Sequence, residues 1–547
     1  MNAATITETA VLPIRAKCLG QPQDDGTRVD CPIDFTALDA EPRAICPECN
    51  EPVGAMDHQR HAAALAADTN ALLLGHEMGT GKTLTTIGIL EQRQAMRVLV
   101  ICPKSVVAVW PDQLAQHATR TWHTWAGEVR GARGPLANPS VARRCEALIQ
   151  ANTAALRIDR PFMAVVNYEA SHLGQMAQLL VGTDWDAVIL DESHRIKSPS
   201  GKASKLAARV TARCRDRGGQ VLGLTGTPFP HSPLDIFGQM RALDGGKRFG
   251  TNYHHFQKYY GAAEHVHVAR NTPLGPYVHL DEKTGAKMRT VYVGIRPDRD
   301  HEFARRLSSI LDRVAADDVL DLPEVMPDVY RTFQLTGPAR KAYDELESDL
   351  ITKVDQGVIT AANAMVLVMR LAQTTSGFGV DAITGEPIQL SDERPDKAKA
   401  LKDVLTDIPQ GEPVVVFARF HMDLDNIAQV AQECGRTYGE LSGRRRDGLE
   451  GPRLAPGITL LGTQLKSGGT GIDLTASRHA IYYSQDFALA DDEQSRKRVH
   501  RPGQNRRVTY THLLAENTVD RAIFGALNKR RDVVASVLAS IKEQQKP

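Results

Sequence analysis

A chain of 547 residues with 42% apolar content is long enough to bury several cores, about three or four domains by length, and too apolar to be disordered over most of its span. Lysine plus arginine number 66 against 65 acidic residues, so no global field draws in a polyanion, and a nucleic-acid partner has to be met by a local groove. No apolar run is long enough for a membrane span, Met1–Val11 lacks the charged-then-apolar start of a signal peptide, and eight cysteines are too few for a disulfide scaffold. A reducing, cytoplasmic setting is the expectation.

The first 55 residues form a leader that holds Cys18, Cys31, Cys46 and Cys49. Cys46-Pro47-Glu48-Cys49 is half of a zinc knuckle, whereas Cys18 and Cys31 are separated by 12 residues, so the four either share a structural Zn2+ or are separate thiols. Short β-branched runs then alternate with amphipathic, alanine- and leucine-rich segments, which is the rhythm of an α/β protein with parallel sheets. The first set of strands is expected at Ala71–Leu74, Val98–Cys102, Phe162–Val166, Ala187–Leu190 and Gln220–Leu224, within a domain over 56–242. The stretch 243–395 lacks this rhythm and reads as inserted and linking structure, with a hairpin around Tyr277–Val293 and helix over Ala339–Val354. A second set, Pro413–Phe417, Ile458–Leu461, His479–Tyr483 and Val508–Leu513, falls in a domain over 396–547.

Gly75-His76-Glu77-Met78-Gly79-Thr80-Gly81-Lys82-Thr83 sits between an expected strand and the helix-like Leu84–Arg93, the setting a phosphate loop needs. Gly79 and Gly81 let backbone amides turn toward phosphates, Lys82 reaches the β and γ phosphates, and the Thr83 hydroxyl ligates Mg2+. Asp191 and Glu192 end the apolar run Ala187–Leu190, a position suited to a magnesium ligand and to a base that orients water. His194 either relays the state of the nucleotide to the next strand end or caps the following turn; Leu224–Pro228 is either a coupling element or a plain strand-to-loop turn. Near the other end, Gln494–Gln504 carries arginines of the kind that stabilise charge on a transferring phosphoryl group.

Gln59, Gly79–Thr83, Ile101–Ser105 with Trp110, Asp191–Lys197, Leu224–Pro228, Ser467–Thr475 and Gln494–Gln504 stand in the order of superfamily 2 helicases, and from Asp57 to Ile523 the chain resembles the Swi/Snf family of DNA translocases. The resemblance implies two RecA-like lobes with ATP bound between them. It implies that Gln59, Gly79, Thr80, Gly81, Lys82, Thr83, Gly471 and Asp473 hold the nucleotide, with Gln59 reading the adenine. It also implies that Lys82, Asp191, Glu192, Arg498 and Arg501 carry the chemistry, with Thr83 and Asp191 on Mg2+. Arg496 and Lys497 read as a solvated basic helix face. Lys104, Ser105, Thr463 and Lys466 become candidates for DNA backbone contacts; for the two lysines a solvated side chain is the alternative, as it is for Arg444-Arg445-Arg446.

Three positions depart from the resembled pattern. His76 stands where the family usually has Asp, Asp473 where it often has Asn, and Leu311-Asp312-Arg313 where paired arginines are expected. The absence of a histone-reading segment suggests a compact prokaryotic or phage type, acting in the cytoplasm of a bacterial or phage-infected cell, with protein partners in replication or recombination. The implied function is a DNA-dependent ATPase that translocates on duplex DNA. A strand-separating helicase acting on DNA or RNA is the alternative, and a scaffold that keeps an ATP fold without turnover is a third reading, disfavoured because every catalytic side chain is present.

Overall fold

The computed structural model describes residues 12, 14–17, 34–36, 44–45, 52–127, 130–131, 134–135, 139–267, 278–281, 287–355, 361–381, 384, 386–465, 472–486 and 488–545. The chain divides into two compact units, one running to Tyr260 with Ile295–Asp321 and the end from Val534, the other comprising Gly261–Gly294 and Leu322–Val533.

The first unit is built on a seven-stranded sheet of β1 (Ala71–His76), β2 (Arg97–Cys102), β3 (His123–Trp125), β4 (Phe162–Asn167), β5 (Ala187–Asp191), β6 (Gln220–Leu224) and β7 (Leu311–Val314). Their spatial order is β7-β1-β6-β5-β2-β4-β3, and every pairing is parallel. Central strands of such a sheet are covered on both faces, which explains why β2 and β5 read as continuous apolar runs and not as alternating ones. One face packs Val98, Val100, Ile189 and Leu222 against Ile87 and Leu90 of helix α1 (Lys82–Gln92). Removing each of these aliphatic side chains from water contributes roughly 1.5–3 kcal/mol.

The second unit repeats the design with six parallel strands, β8 (Val329–Phe333), β9 (Val414–Ala418), β10 (Tyr438–Leu441), β11 (Leu460–Gln464), β12 (His479–Tyr482) and β13 (Thr509–Ala515), ordered β8-β13-β12-β9-β11-β10. The two-residue period of a strand divides β9 between the faces. Val414 and Val416 join the core with Leu424 and Ile427, while Val415 and Phe417 join Leu461, Tyr482 and Tyr510. The expected hairpin is the antiparallel pair Val278–Leu280 with Lys287–Ile295, part of a small three-stranded sheet, and the expected helix runs over Gly337–Asp355. Two parallel sheets flanked by helices are the α/β architecture expected from the sequence rhythm. No helix among the described residues is long and apolar enough to cross a membrane.

The stretch 243–395 is more than a linker, since it lends β7 to the first sheet and β8 to the second. Neither strand looks like a buried parallel strand in the sequence. Two of the four residues of β7, Asp312 and Arg313, are charged, and β8 is an edge strand whose side chains are mostly exposed.

Candidate nucleotide and nucleic-acid sites

All strands of a parallel sheet end on one edge, and in the first unit the chemistry-bearing residues gather there. β1 runs into the loop Glu77–Gly81, whose Gly79 and Gly81 have φ of +87° and +83°. A side chain is strained in that left-handed region, and at Gly81 a Cβ would also lie 2.4 Å from Gln59 Nε2. Lys82 opens α1 and folds its ammonium back onto the loop, donating to the carbonyls of His76 at 2.9 Å and Glu77 at 3.1 Å. Burial lowers the Lys82 pKa, and the nearby Glu192 and Asp191 carboxylates oppose that shift.

Gln59 reaches the loop. It is 2% exposed, its Nε2 donates to the Thr80 carbonyl at 3.3 Å, and its Oε1 accepts from the Met56 amide at 2.9 Å. Both ends of the amide are thus bonded to the protein, and its place is that of a brace. His58 Nε2 lies 2.8 Å from the same Thr80 carbonyl, a contact with no sequence signal beyond its position beside Gln59.

Asp191 ends β5 with Oδ2 accepting from Trp110 Nε1 at 3.0 Å and Oδ1 accepting from the Glu192 amide at 2.9 Å, while the Tyr168 hydroxyl donates to its carbonyl at 2.9 Å. Glu192 follows at φ +49°, a conformation that a non-glycine residue adopts at a cost of about 1–3 kcal/mol. His194 Nδ1 sits 3.3 Å from Glu192 Oε2 and 3.1 Å from Thr225 Oγ1 at the end of β6, so the histidine joins the two strand ends. Thr225 Oγ1 in turn accepts from the Thr227 amide at 3.1 Å, which ties the Leu224–Pro228 turn to this cluster.

The two buried carboxylates are driven apart. Burial and the neighbouring Glu192 charge push Asp191 up to about 6. Burial also raises Glu192, yet the His194 hydrogen bond and the charges of His194 and Lys82 bring it below the usual carboxylate value.

In the second unit, α2 (Leu489–Val499) carries Arg498, and Arg501 follows its end. Arg498 is 4% exposed and burial lowers its guanidinium to about 10; its carbonyl accepts from the Leu474 amide at 3.0 Å. Arg501 Nη1 donates to the Ile472 carbonyl at 3.0 Å, and Asp473 Oδ1 accepts from the Thr475 amide at 3.1 Å and hydroxyl at 2.7 Å. Arg498, Arg501 and Asp473 therefore surround one turn, 472–475. Arg496 is not on a solvated face. It pairs with Asp328, lies 3.2 Å from His512 Nε2 and covers the Tyr510 ring at 4.4 Å, because its side of α2 faces the sheet.

Of the DNA candidates, Lys104 and Ser105 are exposed on the 3-10 turn Lys104–Val106 after β2, along the same edge as the phosphate loop. Thr463 is fully buried in β11, so in this fold it presents nothing to a nucleic-acid backbone. Arg444 pairs with Glu440 and Asp425, and Arg445 with Asp447, which accounts for these two as internally paired charges. Lys466, Gly471 and the possible zinc ligands Cys18, Cys31, Cys46 and Cys49 lie outside the described residues. Cys102, Cys145 and Cys214 are buried free thiols.

The profile of the SNF2-related domain matches residues 48–375, and that of the helicase conserved C-terminal domain matches 396–503. The chain belongs to the SNF2-related family. Protein p41 of Acyrthosiphon pisum secondary endosymbiont phage 1 is 25% identical over 85% of this SNF2-related chain and 94% of its own length. The human DNA annealing helicase and endonuclease ZRANB3 is 23% identical over 86% of this chain and 39% of its own, so the chain spans less than half of that relative. Among solved structures, the Sulfolobus solfataricus SWI2/SNF2 ATPase core in complex with dsDNA aligns over 88% of this chain and 92% of that one, with 19% identity and a TM-score of 0.36.

Proposed function

We propose that this SNF2-related chain is a DNA-dependent ATPase that converts hydrolysis into movement along duplex DNA. The observation that carries the reading is Glu192, a buried carboxylate kept ionised by His194 on the sheet edge that also bears the phosphate loop. In this reading Lys82 leaves the His76 and Glu77 carbonyls to meet phosphate oxygens, Glu192 takes the proton of the attacking water, and Arg498 and Arg501 stabilise the charge on the transferring phosphoryl group. Mg2+, when held by Thr83 and Asp191, offsets the negative charge of the phosphates. His194 passes the change at Glu192 to Thr225 and its turn, the route by which hydrolysis is felt at the next strand end.

Steady-state ATP hydrolysis measured without nucleic acid and with single-stranded DNA, duplex DNA or structured RNA tests this. Strong stimulation by duplex supports the proposal; stimulation by single strands or RNA alone favours a strand-separating helicase, and no turnover with any of them removes the enzyme reading.

Exposed Lys104 provides a separate check on the nucleic-acid face. If it meets a phosphate, Lys104→Ala weakens duplex binding severalfold irrespective of sequence and reduces the slope of log affinity against log salt by about one. An unchanged salt slope in fluorescence anisotropy titrations would return Lys104 to the ordinary solvated lysines.

A further inference from the structure

We propose that β7 is a clasp on the phosphate loop, and that Asp312 and Arg313 are positioning residues that set Lys82 for the nucleotide. The inference rests on the nucleotide-binding reading of that loop. β7 lies beside β1 so closely that a Cβ on Gly75 would fall 2.4 Å from Leu311 Cδ1, and the pairing continues past the strand into the loop, where the Glu77 amide donates to the Val314 carbonyl at 2.9 Å. Side chains then fasten three consecutive residues. Arg313 Nη1 donates to the Gly75 carbonyl at 2.8 Å, His76 Nε2 donates to Asp312 Oδ2 at 2.7 Å, and Arg313 Nη2 donates to Glu77 Oε1 at 2.7 Å. The other oxygen of Glu77 accepts from the Ala316 amide at 3.3 Å, just beyond β7.

His76 and Glu77 are the residues whose carbonyls receive the Lys82 ammonium, so whatever fixes them sets where the lysine rests before it turns to phosphate. Farther along the loop, His58 reaches the Thr80 carbonyl and packs edge-on against the His76 ring with centroids 5.5 Å apart, so the clasp and the brace meet. The His76 ring is fully buried and Asp312 is 5% exposed. Two charged side chains in a four-residue strand would destabilise an edge whose role was only to cover the sheet, since apolar residues do that at lower cost. Among the described residues their hydrogen-bond partners are all in the strand end and loop that lead to Lys82, apart from one bond of Arg313 to the Val314 carbonyl at 2.8 Å.

The test compares full-length wild type, Asp312→Ala, Asp312→Asn, His76→Asp, and the exchange His76→Asp with Asp312→His, reading KM for MgATP and kcat with duplex DNA, binding of a fluorescent ADP, and the melting temperature. The expected result is a KM about tenfold higher in Asp312→Ala with kcat within about threefold of wild type, a larger KM increase in His76→Asp where two carboxylates face each other, and recovery of KM to within about threefold in the exchange. Asp312→Asn, close to the native shape, keeps the comparison valid if the alanine variant does not fold. An unchanged KM and ADP affinity in both Asp312 variants overturns the clasp, as does a loss confined to melting temperature. Failure of the wild type itself to bind ADP overturns the nucleotide reading and the clasp with it, and is told apart by that first measurement.

Discussion

Glu192→Gln is expected to reduce kcat for duplex-stimulated ATP hydrolysis about 1,000-fold while leaving nucleotide binding within a few-fold of wild type. The amide has the size of the carboxylate but cannot accept the proton of the attacking water. Glu192 is suited to that task because its environment holds it ionised despite burial, through the His194 hydrogen bond and the charges of His194 and Lys82. The substitution also removes the charge that, after burial, does most to raise Asp191, so Asp191 titrates lower in the variant and any magnesium ligand there is retained. Single-turnover hydrolysis alongside fluorescent-nucleotide binding separates the two effects. Turnover above about a tenth of wild type would show that Glu192 is not the base.

The apolar, β-branched strands and the polar residues at their ends were legible because both follow from parallel-sheet physics. A strand covered on two faces has to be apolar, and its carboxyl end is where a ligand can be met. Thus β1, β2, β4, β5 and β6 lie within a few residues of the expected spans, and the phosphate loop and Asp191–Glu192 share one edge. What was not legible depends on partners distant in sequence. Asp312 is intelligible only beside His76, and Arg496 only beside Asp328 and His512. β10 was hidden because Tyr438-Gly439-Glu440-Leu441 carries a glutamate, yet Glu440 is buried there with Ser442 and Arg444 as partners. Thr463 shows the converse limit. Its position matches the motif it resembles, but its side chain is inside the sheet.

The Arg496 network carries the second large effect. Asp328 Oδ1 accepts from Arg496 Nη1 at 2.9 Å, Oδ2 accepts from Arg496 Nη2 and from His512 Nε2 at 3.1 Å, and His512 stacks on Tyr482 with centroids 4.8 Å apart. The Asp328 and Arg496 side chains are 15% and 17% exposed, so solvent screens the pair weakly. Burial alone would raise Asp328; the bonds from His512 and Arg496 instead hold it well below the usual carboxylate range. Asp328→Ala leaves a largely buried guanidinium without its main partner, and the expected loss is about 3–5 kcal/mol at neutral pH, visible as a lower urea midpoint at an unchanged slope.

The sign of the pH dependence follows from the depressed value. A carboxylate whose pKa is lower folded than unfolded contributes its stability above the unfolded value of about 3.9 and loses it as pH falls toward the folded one, so the gap between wild type and variant narrows in acid. The remaining imbalance is the unpaired arginine, and Asp328→Ala combined with Arg496→Met is therefore expected to be more stable than Asp328→Ala alone. A single-variant loss below about 1 kcal/mol would place the pair with weak surface ion pairs. If the larger loss is found, the same contacts fix α2 against the sheet and thereby set where Arg498 and Arg501 stand. In that case kcat falls in Asp328→Ala even at temperatures where the variant remains folded, and recovers in part when the uncompensated charge is removed.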